Sequence, residues 1–255
     1  MRIICFGDIH GRNVWKEVID KEVYNTDLFI FLGDYFTSRE GISEEDQFSN
    51  FKEIVFYKKM YPEKIILLRG NHDMEACGYY WAECRPKYWA ECRPKYWGFE
   101  VSDNKEWFLE NTQWLVQIDN MVFSHAGITQ RWYEDMKKKY PEITYFEDIN
   151  KIEPSEMFGF RSNKFSDYYG DTPTQPLTWV RPACLCEYGF PEITYIVGHS
   201  TRPSIINYKD ELTEKHNLGE YAKCNVWVCD TLPREYLLID NGEFVPVKMQ
   251  DVNFE

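Results

Sequence analysis

The sequence predicts an α/β layered fold, and three observations point there. Five short apolar runs, at 3–6, 28–32, 65–68, 121–123 and 195–197, each end at a polar motif. Runs this short, rich in Ile, Val, Leu and Phe, fit strands buried on both faces. Segments 14–24 and 44–60 lie between them and carry spaced apolar residues among charges, as helices packed on a sheet do. The last quarter of the chain has strand patterns at 204–208, 225–229, 236–240 and 243–247, with Asn241-Gly242 as a hairpin turn between the last two. These final strands are expected to be antiparallel and to complete a second sheet. No linker rich in Pro, Gly or Ser divides the chain, so residues 1–255 are expected to form a single domain with insertions near 75–100 and 140–178.

The second of those insertions rests on the stretch from about 150 to 176, which lacks periodicity and is expected to be a long loop bordering a site. The first contains a duplication: the octapeptide Trp81-Ala-Glu-Cys-Arg-Pro-Lys-Tyr88 recurs unchanged at 89–96. Two copies do not make a solenoid. The duplication reads as a local event in a tolerant loop, against the alternative of an aromatic, basic flap beside the site.

The formal net charge of -13 argues against sequence-independent binding of nucleic acid or of anionic membranes, since both need basic patches. No stretch approaches the apolar length of a membrane span, and the N-terminus opens into a strand rather than a secretory signal. The expected location is cytoplasmic. The eight cysteines form no Cys-x-x-Cys pair, so a zinc ribbon is not indicated, and reduced thiols are expected.

The chemistry is carried by histidine. Four of the five histidines follow a strand-like run: His10 in Gly7-Asp8-Ile9-His10-Gly11, His72 in Gly70-Asn71-His72-Asp73, His125 in Ser124-His125-Ala126-Gly127 and His199 in Gly198-His199-Ser200. The remaining run ends in Gly33-Asp34, and His216 lies in a polar stretch expected to be exposed. One histidine after a strand is usually structural, but four in this setting are hard to dismiss. Loops at the carboxyl ends of strands in open α/β sheets converge on one crevice. Convergence here gathers Asp8, His10, Asp34, Asn71, His125 and His199. Carboxylate, imidazole and amide oxygen suit Mn, Fe, Zn or Mg. Six donors exceed what one open catalytic ion takes and suit two, with Asp34 as the bridge; ions roughly 3.5–4 Å apart can hold a hydroxide and stabilise both attacking and leaving oxygens.

This ordered set of motifs resembles the calcineurin-like metallophosphoesterase superfamily, and within it the phosphoprotein phosphatase branch, including bacterial and phage members and the symmetrical diadenosine tetraphosphatases. The resemblance runs from residue 3 to about residue 200. It implies a sandwich of two mixed β-sheets flanked by helices, with a dinuclear metal site at the carboxyl ends of the strands. Carried over, it assigns Asp8 and His10 to one ion, Asp34 to the bridge, and Asn71, His125 and His199 to the second. His72 would protonate the leaving oxygen rather than bind metal. Arg181, in Thr178-Trp179-Val180-Arg181-Pro182, and Arg39 would grip the phosphate. Two divalent ions, manganese first and Fe, Zn or Mg as alternatives, are the implied cofactors.

The chain departs from the family around Arg39. The phosphatases read Gly-Asp-x-Val-Asp-Arg-Gly, whereas this chain has one extra residue before the arginine and Ser38 in place of the aspartate that orients the acid histidine. The diadenosine tetraphosphatases also lack that aspartate and share the run His125-Ala126-Gly127-Ile128. The expected function is hydrolysis of phosphomonoesters, including those of a Ser/Thr phosphoprotein, by a hydroxide between the metals. The alternatives are a bis(5'-nucleosyl)-tetraphosphatase acting on dinucleoside polyphosphates and a non-catalytic metal-binding scaffold. The expected partner is therefore a phosphorylated protein, small phosphoester or nucleotide. Aromatics at Trp81, Trp89, Trp97, Tyr168 and Tyr169 are candidates for stacking on adenine, although aromatics more often pack on one another.

Overall fold

The computed structural model describes residues 1–38, 40–79, 104–154 and 170–249. The insertions' duplicated octapeptide, the aromatics at 81, 89, 97, 168 and 169, and Arg39 lie outside the described residues.

Strand β1 (Arg2–Phe6) pairs in parallel with β2 (Leu28–Phe31), and β2 with β3 (Ile65–Leu67). Two antiparallel strands, β9 (Glu235–Asp240) and β10 (Glu243–Lys248), extend this sheet on the other side of β1, giving the order β10-β9-β1-β2-β3. A second sheet has the order β4-β5-β6-β8-β7, from β4 (Leu115–Ile118), β5 (Met121–Ser124), β6 (Thr194–Val197), β7 (Ile206–Asn207) and β8 (Asn225–Val228). Its central strands β5, β6 and β8 run parallel. The expected sandwich of two mixed sheets is the fold.

The alternation of side chains makes it a sandwich. Ile3 and Cys5 of β1, Ile30 of β2 and Leu237 and Ile239 of β9 share one buried cluster with Phe123 and Ile196 of the second sheet. Their neighbours Ile4, Phe6, Phe29, Phe31, Val122, Tyr195 and Val197 point the other way and meet the helices. A period of two thus sends alternate apolar residues to the inter-sheet space and to the outer layers, so both faces of these strands are dry. That is why they read as unbroken apolar runs.

Helix α1 (Trp15–Glu22) packs Trp15, Val18 and Ile19 inward. Helix α2 (Glu44–Met60) starts at Ser43, whose hydroxyl accepts from Asp46 N at 3.0 Å, and has acids in its first turn and Lys58 and Lys59 in its last. Both devices suit the helix dipole and its orphan N–H groups. The expected helix at 44–60 is matched residue for residue, whereas the one at 14–24 is shorter at both ends. The later helices are α3 (Asn71–Ala76), α4 (Lys105–Asn111), α5 (Gln130–Lys139) and α6 (Pro182–Tyr188). Among the described residues no helix is long and apolar enough to cross a membrane.

Two expectations need correcting. The closing hairpin does turn at Asn241-Gly242, both with positive φ (49° and 87°) as a type I′ turn requires. It joins the first sheet through β9 and β1, however, not the second. The strand at 225–228 is antiparallel to β7, as expected, but parallel to β6 on its other side, because it reaches β6 through a crossover and not a tight turn. Strand β4 was not anticipated; it pairs with β5 across the two-residue connection Asp119-Asn120, with Asp119 at φ 52°.

Candidate active site

Six parallel strands, three from each sheet, deliver the loops that follow them to one edge of the sandwich. Asp8 follows β1, Asp34 follows β2, Asn71 and His72 open α3 just beyond β3, His125 follows β5, and His199 follows β6. The chain must turn sharply there. His10, Asp34 and His199 have φ of 47°, 53° and 61°, the left-handed region that costs a non-glycine residue about 1–2 kcal/mol. Such strain persists only where surrounding structure holds it, and it gathers at functional sites. Close approach adds to the constraint: a Cβ on Gly70 would lie 2.0 Å from Asp34 Oδ1, and one on Gly198 would lie 2.2 Å from Asp8 Oδ1.

The candidate ligands converge. Asn71 Oδ1 lies 3.0 Å from His125 Nε2 and 2.9 Å from His199 Nδ1, and His125 Nε2 lies 3.4 Å from Asp34 Oδ2. His10 Nε2 is 3.8 Å from Asp8 Oδ2. One carboxylate oxygen of Asp8, one of Asp34 and a ring nitrogen of His125 all fall within 4.8 Å of one another. Each strand-end loop is also anchored. His125 Nδ1 donates to Leu32 O at 2.8 Å and His10 Nδ1 to Phe36 O at 2.7 Å, which turns both Nε2 atoms toward the cluster. This is the arrangement by which outer-shell carbonyls fix a metal-binding tautomer. Asp8 Oδ1 accepts from His199 N, and Asp34 Oδ1 from His72 N, both at 2.9 Å.

The electrostatics ask for cations. Burial, together with the charge of Asp230, pushes the Asp8 carboxyl well above its usual range. Burial acts to raise Asp34 too, but His125, His72 and His10 outweigh it and hold that carboxyl low. Burial disfavours a charged His125, yet Asp34 and Asp8 raise it to about 10. A proton therefore sits where Nε2 meets Asp34 and Asn71, in the place a metal ion would take. His199 is pushed the other way, below its ordinary value, by burial and by the nearby Arg181. Clustered buried carboxylates, aimed imidazole nitrogens and one amide oxygen fit divalent ions of the Mn, Fe, Zn and Mg class.

Arg181 caps the N-terminus of α6, where Pro182 at the first position starts the helix without wasting an N–H. Its Nη1 donates to His199 O at 3.2 Å and to Ser200 Oγ at 3.1 Å, with the guanidinium over the Trp179 ring. It thus stands beside a candidate ligand. His72 lies against His10, ring centroids 5.3 Å apart. His216 is exposed and remote in sequence from these loops, as expected.

Three residues of the site have roles that the sequence did not reveal. Asp73 is fully buried and accepts from the backbone N–H groups of Gly70, Asp34 and Tyr35 at 2.8, 2.8 and 2.7 Å, stitching the loop after β2 to that after β3. Burial and the charge of Asp34 raise it to about 7. Asp230, buried just beyond β8, accepts from Thr201 Oγ1 at 2.6 Å. An acid directly after a strand-like run was the signal for it. Glu75, one helical turn beyond His72, places Oε2 3.9 Å from His72 Nδ1.

Buried carboxylates, imidazoles and an amide at one edge of a double sheet define a class, the metal-dependent phosphoesterases built on this sandwich. A family model described as calcineurin-like phosphoesterase matches residues 1–223. The chain belongs to that family and is a hydrolase. Among solved structures it is similar to a cold-active protein-tyrosine phosphatase of the psychrophile Shewanella sp., with a TM-score of 0.55 at 15% identity over 98% of this chain and 80% of that one. It is similar also to a protein serine/threonine phosphatase from Saccharomyces cerevisiae, with a TM-score of 0.55 at 13% identity over 100% of this chain and 81% of that one. At these identities the likeness is one of fold. No curated protein matches in sequence.

Proposed function

We propose that this hydrolase cleaves phosphomonoesters, with Ser/Thr phosphoproteins as the substrate class, at two divalent ions. The convergence of Asp8, Asp34 and His125, with Asn71 Oδ1 against His125 Nε2 and His199 Nδ1, carries the proposal, because buried donors this close to one another have little use without an ion. Asp8 and His10 would hold one ion, Asn71, His125 and His199 the other, and Asp34 would serve both. The ions, manganese first, supply Lewis acidity and an activated water. Arg181 grips the phosphate with its fork, and Arg39 is the second candidate for that grip. His72 gives its proton to the departing oxygen. The two neighbours named above are phosphatases by name, which agrees with a monoester. The chain is one domain on this reading: β9 and β10, beyond the stretch the family model matches, complete the sheet that β1 begins.

A second reading, hydrolysis of dinucleoside polyphosphates, is favoured by Ser38, which stands where the protein phosphatases carry aspartate. Turnover of p-nitrophenyl phosphate beside diadenosine tetraphosphate, with manganese and with EDTA, separates the two. Metal-dependent turnover of the monoester supports the first reading. A strong preference for the dinucleotide replaces it with the second, and no turnover of either with ions bound contradicts both.

A further inference from the structure

We propose that Glu75 is the positioning residue of His72, holding its imidazole so that Nε2 faces the departing oxygen. The inference rests on the reading of His72 as the proton donor. The backbone of His72 is already fixed, since its N–H donates to Asp34 Oδ1 at 2.9 Å. Rotation of the ring about its own bonds remains, and a half-turn would exchange nitrogen for carbon at the reacting position. The Glu75 carboxylate opposes that turn. Its Oε2 lies 3.9 Å from Nδ1, three residues along α3 and therefore on the same helix face. The glutamate side chain is 6% exposed and that of the histidine 22%, so the carboxylate is the more deeply buried of the two. His10 packs edge-on against the same ring, at 5.3 Å between centroids. At 3.9 Å the contact is one of charge rather than a hydrogen bond, and a carboxylate on that side favours the ring orientation that keeps Nδ1 toward it.

Among the described residues, Asp73 and Ser38 are held by other contacts. Asp73 spends its carboxylate on the N–H groups of Gly70, Asp34 and Tyr35. Ser38 accepts from Glu40 N through Oγ and donates its own N–H to Gln47 Oε1, each at 3.1 Å. In the step itself an attacking water that has already given one proton to solvent bonds through its oxygen to phosphorus, the ester P–O bond breaks, and the departing oxygen takes the Nε2 proton to leave as a neutral alcohol. His72 is left neutral with its Nδ1–H toward Glu75, and solvent returns the proton to Nε2.

The test uses the full chain loaded with manganese, two substrates and a double-mutant cycle. An alkyl phosphate needs its leaving oxygen protonated, whereas 2,4-dinitrophenyl phosphate releases a stable phenolate. In Glu75→Gln, kcat for the alkyl ester is expected to fall about 10- to 100-fold, part of the roughly 100- to 10,000-fold that general acid catalysis supplies. For the dinitrophenyl ester it should fall less than about threefold by the same reasoning. Metal content, read by elemental analysis, should match the wild type. His72→Ala should show the same substrate dependence, and adding Glu75→Gln to it should cost little more. Equal losses on both substrates, fully additive losses in the double mutant, or no loss in Glu75→Gln would overturn the proposal. A wild-type chain with ions bound and no monoesterase activity would overturn the underlying reading, and this one with it.

Discussion

The space between the two sheets and the layer of loops at their carboxyl edge are built from the same strands and follow opposite rules. Between the sheets, Ile3, Cys5, Ile30, Phe123, Ile196 and Ile239 are fully or almost fully buried apolar groups. A few residues further on, the chain buries Asp8, Asp34, Asn71 and His125 instead and places three candidate ligands at positive φ. The first region is stabilised by removing apolar surface from water. The second costs free energy in desolvated charge and backbone strain. The fold thus provides a rigid apolar frame that holds a costly polar edge in place, and divalent ions offset that cost when they bind.

The sharpest way to break this contrast is to remove a polar group from the edge. Asp34→Asn or His125→Ala should lower kcat by at least about 1,000-fold, the loss of several kcal/mol of charge stabilisation from the metals. Circular dichroism should show the fold retained, because the apolar frame is untouched. Substantial activity in either variant would contradict the assignment of these side chains as ligands.

The proton on His125 gives the next effect. An ion must displace it from Nε2, so apparent metal affinity should rise with pH, by about tenfold per unit for each proton released. Calorimetric titration with manganese at several pH values reads this directly. Stability of the metal-free chain should move the other way. The folded value of about 10 lies above the ordinary 6.5, so the stabilisation is complete below about 6.5 and is lost as pH rises toward 10. Thermal unfolding in EDTA across that window should show the decline, and manganese should abolish it.

Smaller effects compare the two regions one atom at a time. Gly70→Ala sets a Cβ against Asp34 Oδ1 and its backbone N, at 2.0 and 2.6 Å. It should cost about 1–3 kcal/mol of stability and should also displace Asp34 and weaken metal binding. Ile196→Val, in the inter-sheet space, should cost about 0.5–1.5 kcal/mol and leave metal content and kcat unchanged. Denaturant unfolding together with elemental analysis separates the two outcomes. Equal loss of metal in both variants would mean that frame and edge are not distinct.

What the sequence revealed follows the same division. Strands dry on both faces leave unbroken apolar runs, and β1, β2, β3, β5 and β6 were legible for that reason. The loops were legible because His, Asp and Asn beside Gly after such a run is a rare pattern with one chemical purpose. Strand β4 was not legible: Gln117 interrupts its apolar run and Asp119-Asn120 is a weaker hairpin signal than Asn241-Gly242. The sheet to which the closing hairpin belongs depends on pairing between Cys5 and Leu237, more than two hundred residues apart, which no local pattern encodes. The roles of Asp73, Glu75 and Asp230 were not legible because a lone carboxylate has many uses, and only its partners in space distinguish them. Asp73 binds backbone, Glu75 faces His72, and Asp230 raises Asp8.

The central claim is that the polar edge works as a two-ion centre. Protein stripped with EDTA and titrated with manganese, with bound metal and p-nitrophenyl phosphate turnover followed together, tests it most directly. The account predicts no turnover without metal and a plateau reached at two ions per chain, with Asp34→Asn failing to reach it. Full turnover in the stripped protein, or a plateau at one ion per chain, would contradict it.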